Sequence, residues 1–105
     1  MSERAPQVDV ATGAYLRDHF LGLLSAALGR SVRAGTHFER ALELNQKMGY
    51  RAGVVRTLLA QGQLNVRAGR RRPAKDQLER ARDLAQELGM RGAVQDAETA
   101  LRSTT

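Results

Sequence analysis

The sequence predicts an all-α fold: an α-solenoid of two antiparallel helix hairpins, with a fifth helix capping the far end. Three observations predict it. The chain repeats itself with a period of 40 residues, glycines fall at equivalent places in both copies, and apolar residues recur at three- and four-residue steps between them. Sliding the sequence by 40 lays His37-Phe38-Glu39-Arg40-Ala41-Leu42-Glu43-Leu44 over Gln77-Leu78-Glu79-Arg80-Ala81-Arg82-Asp83-Leu84. The match resumes with Met48-Gly49-Tyr50-Arg51 over Leu88-Gly89-Met90-Arg91. From Ala11 to Val54, 14 of 44 positions are identical to the residue 40 further on, where unrelated sequence would give roughly three.

The spacing places helices at about residues 13–28, 33–48, 51–68, 73–88 and 91–102. The first is apolar nearly all round from Ala14 to Leu28, broken by Arg17, Asp18, His19 and Ser25. Such a helix needs cover on more than one side. Gly29 and Gly69 follow the first and third helices, and Gly49 and Gly89 the second and fourth. Each suits the left-handed residue that ends a helix. The second helix shows Phe38, Ala41, Leu42, Leu44 and Met48 at helical spacing, and the fourth Ala74, Leu78, Ala81, Leu84, Ala85 and Leu88. Their polar faces carry Glu43 with Lys47 and Asp76 with Arg80, four-residue pairs in the favourable order. Pro73 fits a first helical turn, where its missing N–H is no loss. The last helix offers Ala93, Val94, Ala97, Ala100 and Leu101 for burial. Residues 1–12, with Pro6 and mixed charges, are expected to be a flexible tail before a repeat domain at 13–105.

Composition narrows the chemistry. With 105 residues the chain is about one domain. The absence of cysteine excludes disulfides, thiolate zinc sites and cysteine nucleophiles, and a reducing cytoplasm is the expected setting. The longest apolar run, Phe20 to Leu28, is far shorter than the roughly 20 residues that span a bilayer. His19 and His37 are the only histidines and fall on different helices, without a nucleophile or further ligands at useful spacing. No enzyme activity, metal or cofactor is therefore expected. The net charge of +6, almost all from arginine, keeps acidic proteins and nucleic acid open as partners.

Gly22, Gly29, Ala34, Phe38 and Ala41 in the first copy, and Gly62, Gly69, Ala74, Leu78 and Ala81 in the second, resemble the small-and-large spacing of tetratricopeptide repeats. The resemblance covers about residues 13–103. In its 40-residue period, longer than the usual 34, the chain is similar to the repeats of large bacterial ATPase-type transcriptional regulators. It departs from the family where Ser25 and Asn65 replace an aromatic residue, and where Asp18 stands at a position usually large. A buried amide or carboxylate there needs partners.

The resemblance implies close hairpins, with small residues where helices approach and the large one between hairpins. It also implies a protein-interaction role. First helices line the concave face, which would present Leu16, His19, Phe20 and Leu23, then Arg56, Leu59, Gln63 and Arg67. That half-apolar, half-basic groove suits a protein or peptide partner, an amphipathic or acidic helix above all. Leu16, Phe20 and Leu23 fit packing equally well, and self-association through the first helix is the corresponding expectation. Arg30 and Arg33 at one turn, and Arg70, Arg71 and Arg72 at its equivalent, form a candidate phosphate edge. Nucleic acid is the alternative partner, although aromatic residues for base stacking are scarce.

Overall fold

A computed structural model describes residues 10–104, with side chains from Gly13 onward. Five α-helices form: α1 (Val10–Ala27), α2 (Ser31–Met48), α3 (Arg51–Arg67), α4 (Arg71–Leu88) and α5 (Arg91–Leu101), followed by a 3-10 turn at Arg102–Thr104. The expected helices are all present, and three begin earlier than their apolar patterns suggest. α1 starts at Val10, so the expected tail ends sooner; residues 1–9 lie outside the described residues. α2 and α4 start two residues early, at Ser31 and Arg71, because the preceding turns are only three residues long.

Those turns are short for a local reason. Gly29, Gly49, Gly69 and Gly89 all take φ between 68° and 78°. In each case the glycine N–H bonds back three residues and the next N–H bonds back five, as in Arg30 to Ser25 at 2.8 Å and Tyr50 to Asn45 at 2.9 Å. This Schellman closure satisfies the last carbonyls and reverses the chain at once. Arg30 and Arg70 are then the N-caps of α2 and α4, without a side-chain cap bond. Pro73 falls in the first turn of α4, as expected.

α1 pairs with α2, and α3 with α4, as antiparallel hairpins; α2 joins them by packing on α3, and α5 closes on α3 and α4. The stack is elongated, 54 × 30 × 19 Å, with a radius of gyration of 14.3 Å against about 13 Å for a compact globule of this length.

The large residues do more than bridge hairpins. Phe38 and Leu78 lie over the interior glycines of their own hairpins: an added Cβ on Gly22 would sit 2.5 Å from the Phe38 ring, and one on Gly62 2.5 Å from Leu78 Cγ. The glycines thus admit a side chain, where a neighbouring backbone was the expectation. Phe38 also reaches across the joint, clustering with Ala34, Ala60 and Leu64. On α2 the buried set is Ala34, Phe38, Ala41 and Asn45, with Leu42, Leu44 and Met48 half-buried. On α5 Ala97 is fully buried, and Ala93, Val94, Ala100 and Leu101 are half-buried.

Polar groups inside the stack find partners unevenly. Asn65 Nδ2 donates to Gln77 Oε1 at 2.7 Å, which answers the need created by its position. Asn45 Nδ2 donates to Thr57 Oγ1 at 3.1 Å across the joint between hairpins, while its Oδ1 is buried without a partner. The equivalent joint of the second copy is Ala85 against Ala97, both buried. Thr57→Ala should therefore cost about 1–3 kcal/mol by depriving the amide of this partner, and Asn45→Ala should cost less in the Thr57→Ala chain than in the wild type, as urea denaturation would show. The four-residue pairs Glu43–Lys47 and Asp76–Arg80 do not close to ion-pair distance. Arg51 pairs with Glu87 and Arg82 with Asp83 instead; solvated side chains gain little from any one pairing, so which pair closes is weakly determined.

Candidate interaction surface

Among the described residues, five of the eight exposed large apolar side chains lie on α1 or in the turn just after it. Leu16, Phe20, Leu23, Leu24 and Leu28 are all exposed, at 45% or more, and Ala27 lies among them. At 100° per residue these positions fall within one broad face, opposite Tyr15, Asp18, Gly22 and Ser25, which are buried. A monomer rarely shows a patch of this kind on one element.

Repeat register explains the face. The α3 residues equivalent to Phe20 and Leu24 are Ala60 and Leu64, which are 7% and 8% exposed because α2 covers them. Phe20, at 62% exposed, occupies the same slot with nothing in front of it among the described residues. Leu16 and Leu23 correspond to Arg56 and Gln63, exposed on the groove side of α3. The eight groove residues expected from the sequence therefore divide. Leu16, His19 and Leu23 are in register with Arg56, Leu59 and Gln63, with Arg67 further along α3, whereas Phe20 turns toward the open end of the stack.

Beside this face an aromatic cluster ties α1 to the second hairpin. The buried Tyr15 ring meets Tyr50 edge-on at 5.9 Å and His19 at 5.7 Å, and His19 meets Phe38 at 5.9 Å. Arg56 Nη1 donates to the Tyr50 hydroxyl at 3.1 Å. Burial pushes the Tyr15 hydroxyl up, partly offset by the Arg56 charge.

Burial, and then the Arg56 charge, hold the His19 imidazole below its ordinary 6.5; its Nδ1 is buried without a partner. The folded chain favours the neutral ring, so the unfolded chain takes up the proton first. His19 thus leaves stability intact above pH 6.5 and erodes it as pH falls from there through the lower folded value. His19→Leu, which copies Leu59 of the second repeat, should shrink the loss of Tm between pH 7.5 and 5.5 relative to the wild type.

Asp18 and His37 form a contact that the sequence reading did not anticipate. Asp18 is buried, and its Oδ1 lies 3.1 Å from His37 Nδ1 across the first hairpin. A signal for it did exist: the second copy has Leu58 and Gln77 at these two positions, so both members of the pair depart from the repeat together.

The five arginines of the candidate phosphate edge are all exposed. A groove of about 380 Å³ is lined by Ser31 and Val32 at the start of α2 and by Arg70 and Pro73 at the start of α4, so both helix starts share one end of the molecule. Neither α2 nor α4 carries an acidic residue in its first turn. Among the described residues, no three potential ligands gather as a metal site. No described helix is long and apolar enough to cross a membrane.

The tetratricopeptide repeat family model matches residues 12–87. The chain belongs to the tetratricopeptide repeat family. No curated protein and no solved structure gives a significant match. Tetratricopeptide repeats generally mediate protein–protein interaction and are generally non-catalytic. The matched region spans both tetratricopeptide hairpins up to the last turn of α4.

Proposed function

We propose that this chain is a non-catalytic scaffold or regulatory module that binds protein partners through the α1 face and the adjoining groove side of α3, and that it also associates with itself through α1. The open α1 face carries the reading: its Phe20 and Leu24 fill slots that α2 covers on α3, where Ala60 and Leu64 stand. The groove residues add chemistry. Leu16, His19 and Leu23 supply apolar contact, and Arg56 and Arg67 a basic flank beside Leu59 and Gln63. An amphipathic helix with an acidic edge complements that pattern. The long repeat period supports a place within signalling or transcription regulators, and the absence of cysteine supports a cytoplasmic setting.

A displayed library of helical peptides, panned against the chain at 150 mM salt, tests the groove. Recovered binders should be amphipathic and acidic, and should lose at least tenfold in affinity for Leu23→Asp or Arg56→Glu. Binders without that composition, or indifferent to both substitutions, would overturn the groove.

A second reading rests on the shared arginine end. Arg30, Arg33, Arg70, Arg71 and Arg72 stand beside two helix N-termini that lack acidic residues, and both features attract phosphate. Duplex binding that disappears between 50 and 200 mM salt and in Arg70→Ala/Arg71→Ala/Arg72→Ala would support it as a nonspecific contact.

A further inference from the structure

We infer that two copies of this chain pair through α1 in an antiparallel, two-fold arrangement centred at the level of Gly22, and that the same face does not stack a preceding repeat. The inference rests on the self-association proposed above and specifies its geometry.

The second half of the claim comes from comparing α1 with α3. At the internal joint, α2 packs on Thr57, Ala60 and Leu64; Thr57 is wholly buried and Ala60 is small. In α1 the same three slots hold Arg17, Phe20 and Leu24. A hairpin stacked on α1 in the register of the internal joint would bury the Arg17 charge in the slot of Thr57, and would meet a phenyl ring where α2 meets a methyl group. Burying an unpaired guanidinium is costly, and the added bulk prevents the close approach on which this stacking depends. The α1 face is also wider than that joint, since Leu16 and Leu23 extend it where α3 has Arg56 and Gln63.

What fits is a second α1. Leu16, Phe20 and Leu24 recur every four residues along α1, and Leu28, whose N–H still bonds to the Leu24 carbonyl at 3.0 Å, continues their ridge into the turn. Two such ridges interdigitate at a crossing angle of about −50°, the commonest helix packing in globular proteins. The ridge reads alike in both directions: about residue 22, Leu16 pairs with Leu28 and Phe20 with Leu24. An isologous interface requires that symmetry, because whatever residue i meets on the partner must meet i in return.

Charges agree with this register. Arg17 falls opposite Ala27 and Arg30 opposite Ala14, so no two like charges face each other. The acidic residue of this stretch, Asp18, is turned inward and held against His37. The ridge with Leu23 exposes on the order of 600 Å² per chain, so a pair would bury at most about 1,200 Å², at the lower end of standard interfaces, with Arg17 left in water at its edge. The opposite end of the stack offers no comparable surface, since Arg91, Gly92, Gln95, Asp96, Glu98 and Thr99 are its exposed α5 residues. Head-to-tail growth into filaments is therefore disfavoured.

Light scattering on a sizing column, with the full chain at about 200 µM, should give twice the mass of 11.5 kDa. Phe20→Asp should raise the dimer dissociation constant by at least about 100-fold with unchanged helical circular dichroism, since Phe20 is exposed in the single chain. Register is read by disulfide trapping, which the absence of native cysteine makes clean. Oxidising a mixture of Phe20→Cys and Leu24→Cys chains should give the mixed dimer in excess of either homodimer. A strict monomer would overturn both the pairing and the self-association above. A dimer whose Phe20→Cys chains link chiefly to themselves, or one that survives Phe20→Asp, would overturn the α1 geometry alone.

Discussion

Phe38→Ala is expected to lower the stability of the chain by about 4 kcal/mol. The ring is 1% exposed and serves two joints at once. Within its hairpin it fills the groove opened by Gly22, and between hairpins it packs with Ala60 and Leu64. Three of its neighbours, Ala34, Ala60 and Ala26, are too short to move into the space that the ring leaves. The cavity would therefore persist, which puts this truncation in the upper half of the measured range for large-to-small changes. A stack of this size has about 5–15 kcal/mol to lose, so the midpoint should fall by about 20 °C. Thermal and urea denaturation followed at 222 nm would check this. Leu78→Ala should cost about 3 kcal/mol, because its side chain is smaller; equal losses at the two sites would contradict the double role given to Phe38.

Gly22→Val is expected to be nearly as damaging, about 3 kcal/mol, and for the opposite reason. Its first added carbon would sit 2.5 Å from the ring of Phe38, far inside van der Waals contact. The ring cannot retreat, being enclosed by Ala34, Ala60 and Leu64. Gly22→Ala should cost less, since alanine regains about 1 kcal/mol of helix propensity over glycine. Because both substitutions act on the same contact, they should not add. Phe38→Ala introduced into the Gly22→Val chain should cost at least 1 kcal/mol less than in the wild type. Additive losses would mean that the glycine and the ring do not share the space assigned to them.

Much of this architecture was legible from residues alone. The 40-residue offset and the four turn glycines gave the number of helices and their antiparallel order, because a residue needing positive φ leaves few alternatives to a tight reversal. Periodicity marked Phe38, Ala41, Leu78 and Ala81 as buried, since a helix can hide only one stripe. Helix starts were less legible: Ser31 and Arg71 carry no capping signal, so the apolar pattern began two residues after the backbone did. The Asp18–His37 pair escaped notice because residues 19 apart come together only when the hairpin closes.

For the interaction surface the division is sharper. The sequence determined that α1 is too apolar to stand in water, because that depends only on which side chains share a helix. It could not separate Phe20 from Leu16, His19 and Leu23. That separation depends on which side of α3 receives α2, and on the finding that the slot filled by Ala60 is a joint while the slot of Arg56 is open. Sequence fixes the facing of a residue around its own helix axis; only the packing of helices against one another decides which facing is already covered.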